Sequence, residues 1–238
     1  MGKQIVKLMN NYFFVVTDSE SPERVEGINI EKISRKTIAK SEKLILKIDF
    51  NNMKNSDYKN ILKKLFTVKK KMSRKKITFG IKGQENILLG YLINYDKNDQ
   101  KHIDFIHGIN AIFHSTLYDM YSYIYDVVCG YLDYQFAAND LCGFKDDKCV
   151  CDKKMGCCAG FKKCKYLGDE FCSIKCISCK LFTCPHLWSE GVRFYIKDIL
   201  LLETFFNEVQ KYLILVSVFL PKDIIMMRIL PVPWNIKI

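Results

Sequence analysis

Proline occupies only 5 of the 238 positions, glycine 12 and histidine 4. With glycine this sparse, the chain has neither a Gly-x-Gly-x-x-Gly turn nor a P-loop, which excludes the common nucleotide-binding fingerprints. Four histidines give no basis for a Ser/His/Asp triad, and no His-x-x-x-His pair is present. Catalytic residues therefore go unnamed. Long apolar runs are also missing. The stretch from Tyr212 to Leu220, broken by Ser217, is the longest, about half of the ~20 residues that a membrane-spanning helix needs. The start of the chain, Met1 to Lys7, has no apolar core or cleavage site of an export signal. Val6 stands where a myristoylation motif wants Ser or Thr. The expectation is a soluble, cytoplasmic protein with no membrane partner. Neither internal repeats nor low-complexity linkers are visible.

Charge is abundant and lopsided. Residues 1–100 carry 21 Lys/Arg against 11 Asp/Glu, whereas residues 101–238 carry 16 against 15. Ten basic residues lie between 54 and 76, facing the single acid Asp57. Such asymmetry suggests two regions with different jobs, a basic unit 1–98 and a second region 99–238.

Local patterns fill in the two regions. Residues 5–16 are apolar-rich and ambiguous in period, 17–27 read as a loop, and 44–50 read as a strand. Asn55-Ser56-Asp57 can cap a helix whose apolar face is Tyr58, Ile61, Leu62, Leu65 and Phe66, with Lys59, Lys63 and Lys64 opposite, ending near Lys70. Residues 77–81 and 87–95 read as a hairpin. From 99 to 138 helical periodicity runs on, as one long helix or two end to end, bent near Gly108 or Gly130. Residues 191–206 and 209–220 read as further helical elements, and Pro221 opens a short last helix. The expected fold class is α+β: a small N-terminal α+β unit, then a mainly α-helical region wrapped around a cysteine-rich metal-binding loop.

That loop is the densest signal. Nine of the 11 cysteines fall within 149–184: Cys149, Cys151, Cys157, Cys158, Cys164, Cys172, Cys176, Cys179 and Cys184, with His186 just beyond. A reduced compartment disfavours a disulfide framework, and an odd cysteine count points the same way, so the expectation is metal ligation. Cys176-x-x-Cys179 lets two sulfurs reach one centre, and Cys184 and His186 are near enough in sequence to complete a four-ligand site. Cys149, Cys151, Cys157, Cys158 and Cys164 can supply another. Ten candidate ligands exceed one tetrahedral ion, so one or two centres are expected. The spare thiols and the Cys184-Pro185 ending suit an iron–sulfur cluster; His186 suits zinc. Both cofactors stay open.

The order Cys149-x-Cys151, Cys157-Cys158, Cys164-x-x-Leu167, Cys172, Cys179-x-x-Phe182-x-Cys184 resembles the bacterial YkgJ-type zinc- or iron-chelating cysteine-cluster proteins. The flagellin lysine methylases carry a similar cluster. The resemblance covers about 36 residues. It departs in having Cys-x-Cys where Cys-x-x-Cys is usual, and in adding Cys176. It implies chelation without implying a reaction. Cys172-x-x-x-Cys176-x-x-Cys179 also has the spacing of radical S-adenosylmethionine enzymes, but only 59 residues follow it, too few for their barrel.

Three functions follow as expectations. The first is a metal-binding cysteine-cluster protein. The second is an iron–sulfur-dependent enzyme, such as a protein methyltransferase or redox protein. The third is a zinc-stapled protein that binds nucleic acid through 54–76. A further row is read two ways: His107 and His114, with Asp119, Asp126 and Asp133 at heptad spacing, form either a second metal or proton-handling site or a hydrogen-bonded helix face.

Overall fold

The computed structural model describes residues 4–8, 12–17, 28–29, 43–50, 53–78, 88–94, 96, 98–114, 116–139, 141, 166 and 173–232, with backbone alone for the five strands and for 68–78. The chain divides into two compact units, 1–113 and 114–238.

In the first unit the strands are β1 (Gln4–Leu8), β2 (Tyr12–Thr17), β3 (Ile28–Asn29), β4 (Lys43–Asp49) and β5 (Leu88–Asn94). Their order is β1-β2-β5-β4-β3. Only β1 and β2 pair antiparallel; β5 runs parallel to both β2 and β4. Parallel neighbours need a crossover, and helix α1 (Asn55–Thr78) lies in the chain between β4 and β5. The hairpin expected from 77–81 and 87–95 is thus corrected. Residues 77 and 78 belong to α1, which extends well past Lys70, and β5 takes parallel partners.

The cap at the start of α1 is Asp57 reaching back to accept the Lys54 N–H at 2.8 Å. Its buried face is Tyr58, Ile61, Leu62 and Leu65. Helix α2 (Gln100–Phe113) turns Phe105, Gly108, Ile109, Ala111 and Ile112 inward, and the two helices pack together. Gly108 lets them approach closely, because a Cβ there would sit 2.8 Å from both Cδ atoms of Leu62. Phe50 stacks on His102 at 4.3 Å and meets the edge of Phe105. Asp99 caps α2 by accepting from the Lys101 N–H at 2.8 Å.

The second unit is built on α3 (Leu117–Ala138), which buries Met120, Tyr121, Ile124, Tyr125, Val128, Cys129 and Leu132. The helical run of 99–138 breaks at Thr116 rather than at a glycine; the Thr116 hydroxyl caps α3 by accepting from Asp119 N–H at 3.0 Å. Against α3 pack α4 (Ile177–Leu181), α6 (Leu200–Phe205) and α8 (Lys222–Ile229). Between them come α5 (Pro185–Ser189) and α7 (Glu208–Val216). The helix expected over 191–206 shrinks to α6 after a short 3₁₀ turn, Ile196–Asp198. Gly191 at φ +79° turns the chain, and Val192, Phe194 and Ile196 then alternate with exposed Arg193, Tyr195 and Lys197. Fully buried Gln210 links three elements, donating to Tyr121 OH at 3.2 Å and Ile229 O at 3.0 Å.

The expected α+β class is overturned. The part of the chain with interpretable packing is 71% helical and contains no strand, which places it in the all-α class. The physical reason is where the apolar side chains go: among the described residues most of the buried ones lie on helices packed against one another. Runs 43–49 and 88–94 pair with each other along the backbone. No helix among the described residues is long and apolar enough to cross a membrane.

Candidate metal centre

Of the ten expected ligands, Cys149, Cys151, Cys157, Cys158, Cys164 and Cys172 lie outside the described residues. Cys176, Cys179, Cys184 and His186 lie within them.

Cys176 occupies the N-cap of α4, and its carbonyl accepts the Lys180 N–H at 3.0 Å. Its side chain is 0% exposed, whereas Cys179, one helical turn on, is partly exposed. Residues 176–179 are joined to the last turn of α7 and the residues after it by three bonds. The Cys176 thiol donates to Ser217 O at 3.3 Å, the Ser178 hydroxyl donates to Leu215 O at 2.5 Å, and the Phe219 N–H donates to Cys179 Sγ at 3.3 Å. Phe219 holds φ +60°, a left-handed conformation uncommon for a bulky residue. That turn aims backbone N–H groups at sulfur.

The electrostatics follow from these donors. A hydrogen bond from Cys179 pulls the Cys176 pKa down to about 6, burial opposes it, and the N–H groups of Cys179, Phe219 and Leu220 assist. Cys129, on the facing side of α3, is equally buried but lacks such donors. Burial pushes its thiol up to about 12, against the pull of Lys180. Two buried thiols thus differ in chemistry because one has hydrogen-bond donors and the other does not. Tyr125 closes the floor: its hydroxyl accepts from the Ile177 N–H at 2.9 Å, and burial raises its pKa.

Cys184 is buried at the N-cap of α5, where its carbonyl accepts the Trp188 N–H at 3.1 Å, and His186 is half-buried in the same helix. Among the described residues no three His, Cys, Asp or Glu side chains are grouped as a metal site requires. The structure therefore brings together Cys176 and Cys179 as a hydrogen-bonded pair, without drawing Cys184 and His186 into a group of three with them.

The aspartate row has other work. Asp119 accepts from the Thr116 hydroxyl at 2.7 Å at the head of α3. Asp126 pairs with Lys175 at 3.4 Å and Lys222 at 2.7 Å, and Asp133 pairs with Lys180. Asp126 and Asp133 are a seam of ion pairs tying α3 to α4, to the residues before it, and to α8. His114 packs its ring on Tyr123 at 4.9 Å, and burial lowers the pKa of His107.

Sequence reasoning missed Tyr125, Lys180 and the donor turn 217–220. Lys180 and Tyr125 carried no signal beyond their type. For Phe219 there was none, since a left-handed position is ordinarily announced by glycine. Compared with family models, characterised proteins and solved structures, the chain matches none.

Proposed function

We propose that this is a metal-binding cysteine-cluster protein in which residues 149–186 hold zinc or an iron–sulfur cluster, at one or two centres. The observation that carries this reading is the set of donors converging on the Cys176–Cys179 pair. Metals bind the thiolate, and N–H groups directed at sulfur stabilise that charge and tune a bound centre. The hydrogen bond from Cys179 and the N–H groups at the sulfur hold the Cys176 pKa down, so less is lost when the proton gives way to a metal.

The soft donor set fits either metal. Cys176 and Cys179 would supply two sulfurs, and the remaining ligands would come from Cys149, Cys151, Cys157, Cys158, Cys164, Cys172, Cys184 and His186. Zinc would act as a structural staple between α4 and the cysteine-rich segment; an iron–sulfur cluster would supply electron transfer or cofactor activation. The chain's own part is to hold the two sulfurs one turn apart, floor them with Tyr125 and fix α4 through Lys180 and Asp133. Free thiols at all four described cysteines suit a reducing, cytoplasmic setting. The likeness to the YkgJ-type proteins belongs to the same proposal, carried by the order of the cysteines.

Elemental analysis of anaerobically purified protein tests the reading, repeated for Cys176→Ser and Cys157→Ser. Stoichiometric zinc or iron that falls in the variants is expected. Full metal content in both variants refutes the ligand assignment. A brown preparation favours iron–sulfur, and with it the redox or methyl-transferring enzyme; a colourless one with zinc favours the staple.

A second reading, nucleic-acid binding by 54–76, draws support from α1. The ten basic residues fall on one uninterrupted helix or at its cap, and its apolar face is occupied by packing against α2. Binding that weakens steeply with salt is expected. Salt-independent binding refutes it.

A further inference from the structure

We propose that Cys176 and Cys179 form a reversible disulfide by exchange with low-molecular-weight disulfides. This goes beyond metal binding and does not rest on it. The pair is already in hydrogen-bond contact through its sulfurs. Residues one helical turn apart have Cα atoms about 5–6 Å from each other, within the range that a disulfide spans. Closing the bond requires side-chain rotation within α4, not rearrangement of the fold.

Burial sets the order of events. Cys129, Cys176 and Cys184 are buried, and Cys179 is the partly exposed thiol of the four. Of these four, an external disulfide RSSR therefore meets Cys179 first. The Cys179 sulfur, its proton passed to the hydrogen-bonded Cys176 sulfur, attacks one sulfur of RSSR; the S–S bond breaks and RS⁻ leaves, taking up a proton from solvent. The mixed disulfide Cys179–S–S–R is then attacked at the Cys179 sulfur by Cys176. The second RS⁻ leaves and is protonated by the proton that Cys176 released. Two protein thiols are oxidised and one RSSR is reduced to two RSH.

The turn 217–220 favours this sequence of steps. Its Phe219 N–H holds the Cys179 sulfur, and the Cys176 contact to Ser217 O fixes the second sulfur behind it. In metal-loaded protein the same oxidation removes two ligand sulfurs at once, so it competes with ligation. The dithiol is thus a point at which thiol redox state controls occupancy of the cluster.

The test uses full-length, metal-free, reduced protein treated with oxidised glutathione, digested without reduction and mapped by mass spectrometry. The expected product is a Cys176–Cys179 link that dithiothreitol reverses. In Cys176→Ser the glutathione adduct accumulates on Cys179, on the order of tenfold above wild type, because the fast intramolecular step is gone. In Cys179→Ser the buried Cys176 stays unmodified. Absence of the link in wild type overturns the proposal, whatever the variants do. So does an adduct spread evenly over the other cysteines in Cys176→Ser. Because the protein is metal-free, failure of the metal reading leaves this result intact; metal content measured on a parallel loaded sample reports on that reading separately.

Discussion

Replacing Asp133 by asparagine asks how firmly α4, and with it the thiol pair, is held to α3. Lys180 is 5% exposed and its ammonium is paired with Asp133, whose side chain is 43% exposed. The pair has one dry end and one wet end. Breaking a fully buried ion pair costs about 3–5 kcal/mol because a charge is left uncompensated, whereas exposed pairs are worth about 0–1 kcal/mol. With water reaching Asp133, the expected cost of Asp133→Asn is about 2 kcal/mol. Lys180→Met is expected to cost less, about 1 kcal/mol, since it leaves a carboxylate that water can solvate. The double variant removes both charges and should lie close to wild type, giving a coupling of about 3 kcal/mol.

Urea denaturation of metal-free, reduced protein measures the four corners of this cycle. Alkylation of Cys176 gives a local readout: with α4 loosened in Asp133→Asn, the buried sulfur reacts faster, and the double variant restores protection. Losses that simply add would refute the reasoning. Additivity would mean that Lys180 finds its compensation elsewhere and that α4 is held by its apolar packing and its hydrogen bonds to Tyr125 and Leu215.

Other consequences are sharper at other sites. In metal-free protein, thiolate absorbance in the ultraviolet should titrate with a midpoint about 6 and vanish in Cys176→Ser. Because that folded-state pKa is depressed, Cys176 contributes stability that is fully present above the unfolded thiol range and is lost as pH falls through about 6; a flat profile that Cys176→Ser leaves unchanged would refute it. Asp104 goes the opposite way: burial raises its pKa to about 6, against the Gln100 amide that donates to it at 2.7 Å. Stability therefore falls as pH rises from about 4 to about 6, and Asp104→Asn should stabilise the fold at neutral pH by about 1–2 kcal/mol and flatten that limb in pH-dependent melts. Gly108→Ala should destabilise by about 1–2 kcal/mol, the clash with Leu62 outweighing the gain in helix propensity, and adding Leu62→Val should recover part of the loss in thermal melts.

Apolar periodicity was legible where it met the core directly. The face Tyr58, Ile61, Leu62 and Leu65 is buried as its spacing implies, and the periodic run from Ile103 to Leu132 forms two helices, Gln100–Phe113 and Leu117–Ala138. The fold class was not legible. Apolar runs at 44–50 and 88–94 announce strands, but period alone does not tell whether strands or helices bury the apolar surface; among the described residues the buried side chains lie mostly on helices. Residues 191–206 misled for a related reason: Val192, Phe194 and Ile196 alternate inward with period 2, then give way to the helical period of Leu201, Leu202 and Phe205. The aspartate row was ambiguous because its partners are distant. Lys175, Lys180 and Lys222 lie 47 to 96 positions away in sequence, and no local pattern links them to Asp126 and Asp133. The pairing of Cys176 with Cys179 was visible in its spacing alone.

What spacing could not show is that the chemistry of the pair is also tuned by a segment without cysteine. The left-handed Phe219 costs on the order of 1–2 kcal/mol relative to a relaxed backbone, and its ring is left 55% exposed, so burial of that ring does little to offset the strain. What the conformation does provide is the N–H to Cys179 Sγ at 3.3 Å, beside the Leu220 N–H acting on Cys176. Cys129, as buried as Cys176 but without donors, shows where a thiol in this core otherwise ends, protonated up to about 12. The gap between these two sulfurs is opened first by the hydrogen bond from Cys179, and the N–H groups of Phe219 and Leu220 add to it. A thiolate held in place by another part of the chain can take up a metal or close a disulfide without first being deprotonated at the expense of the fold. Both proposed activities of the pair therefore depend on the turn 217–220 as much as on the cysteines themselves.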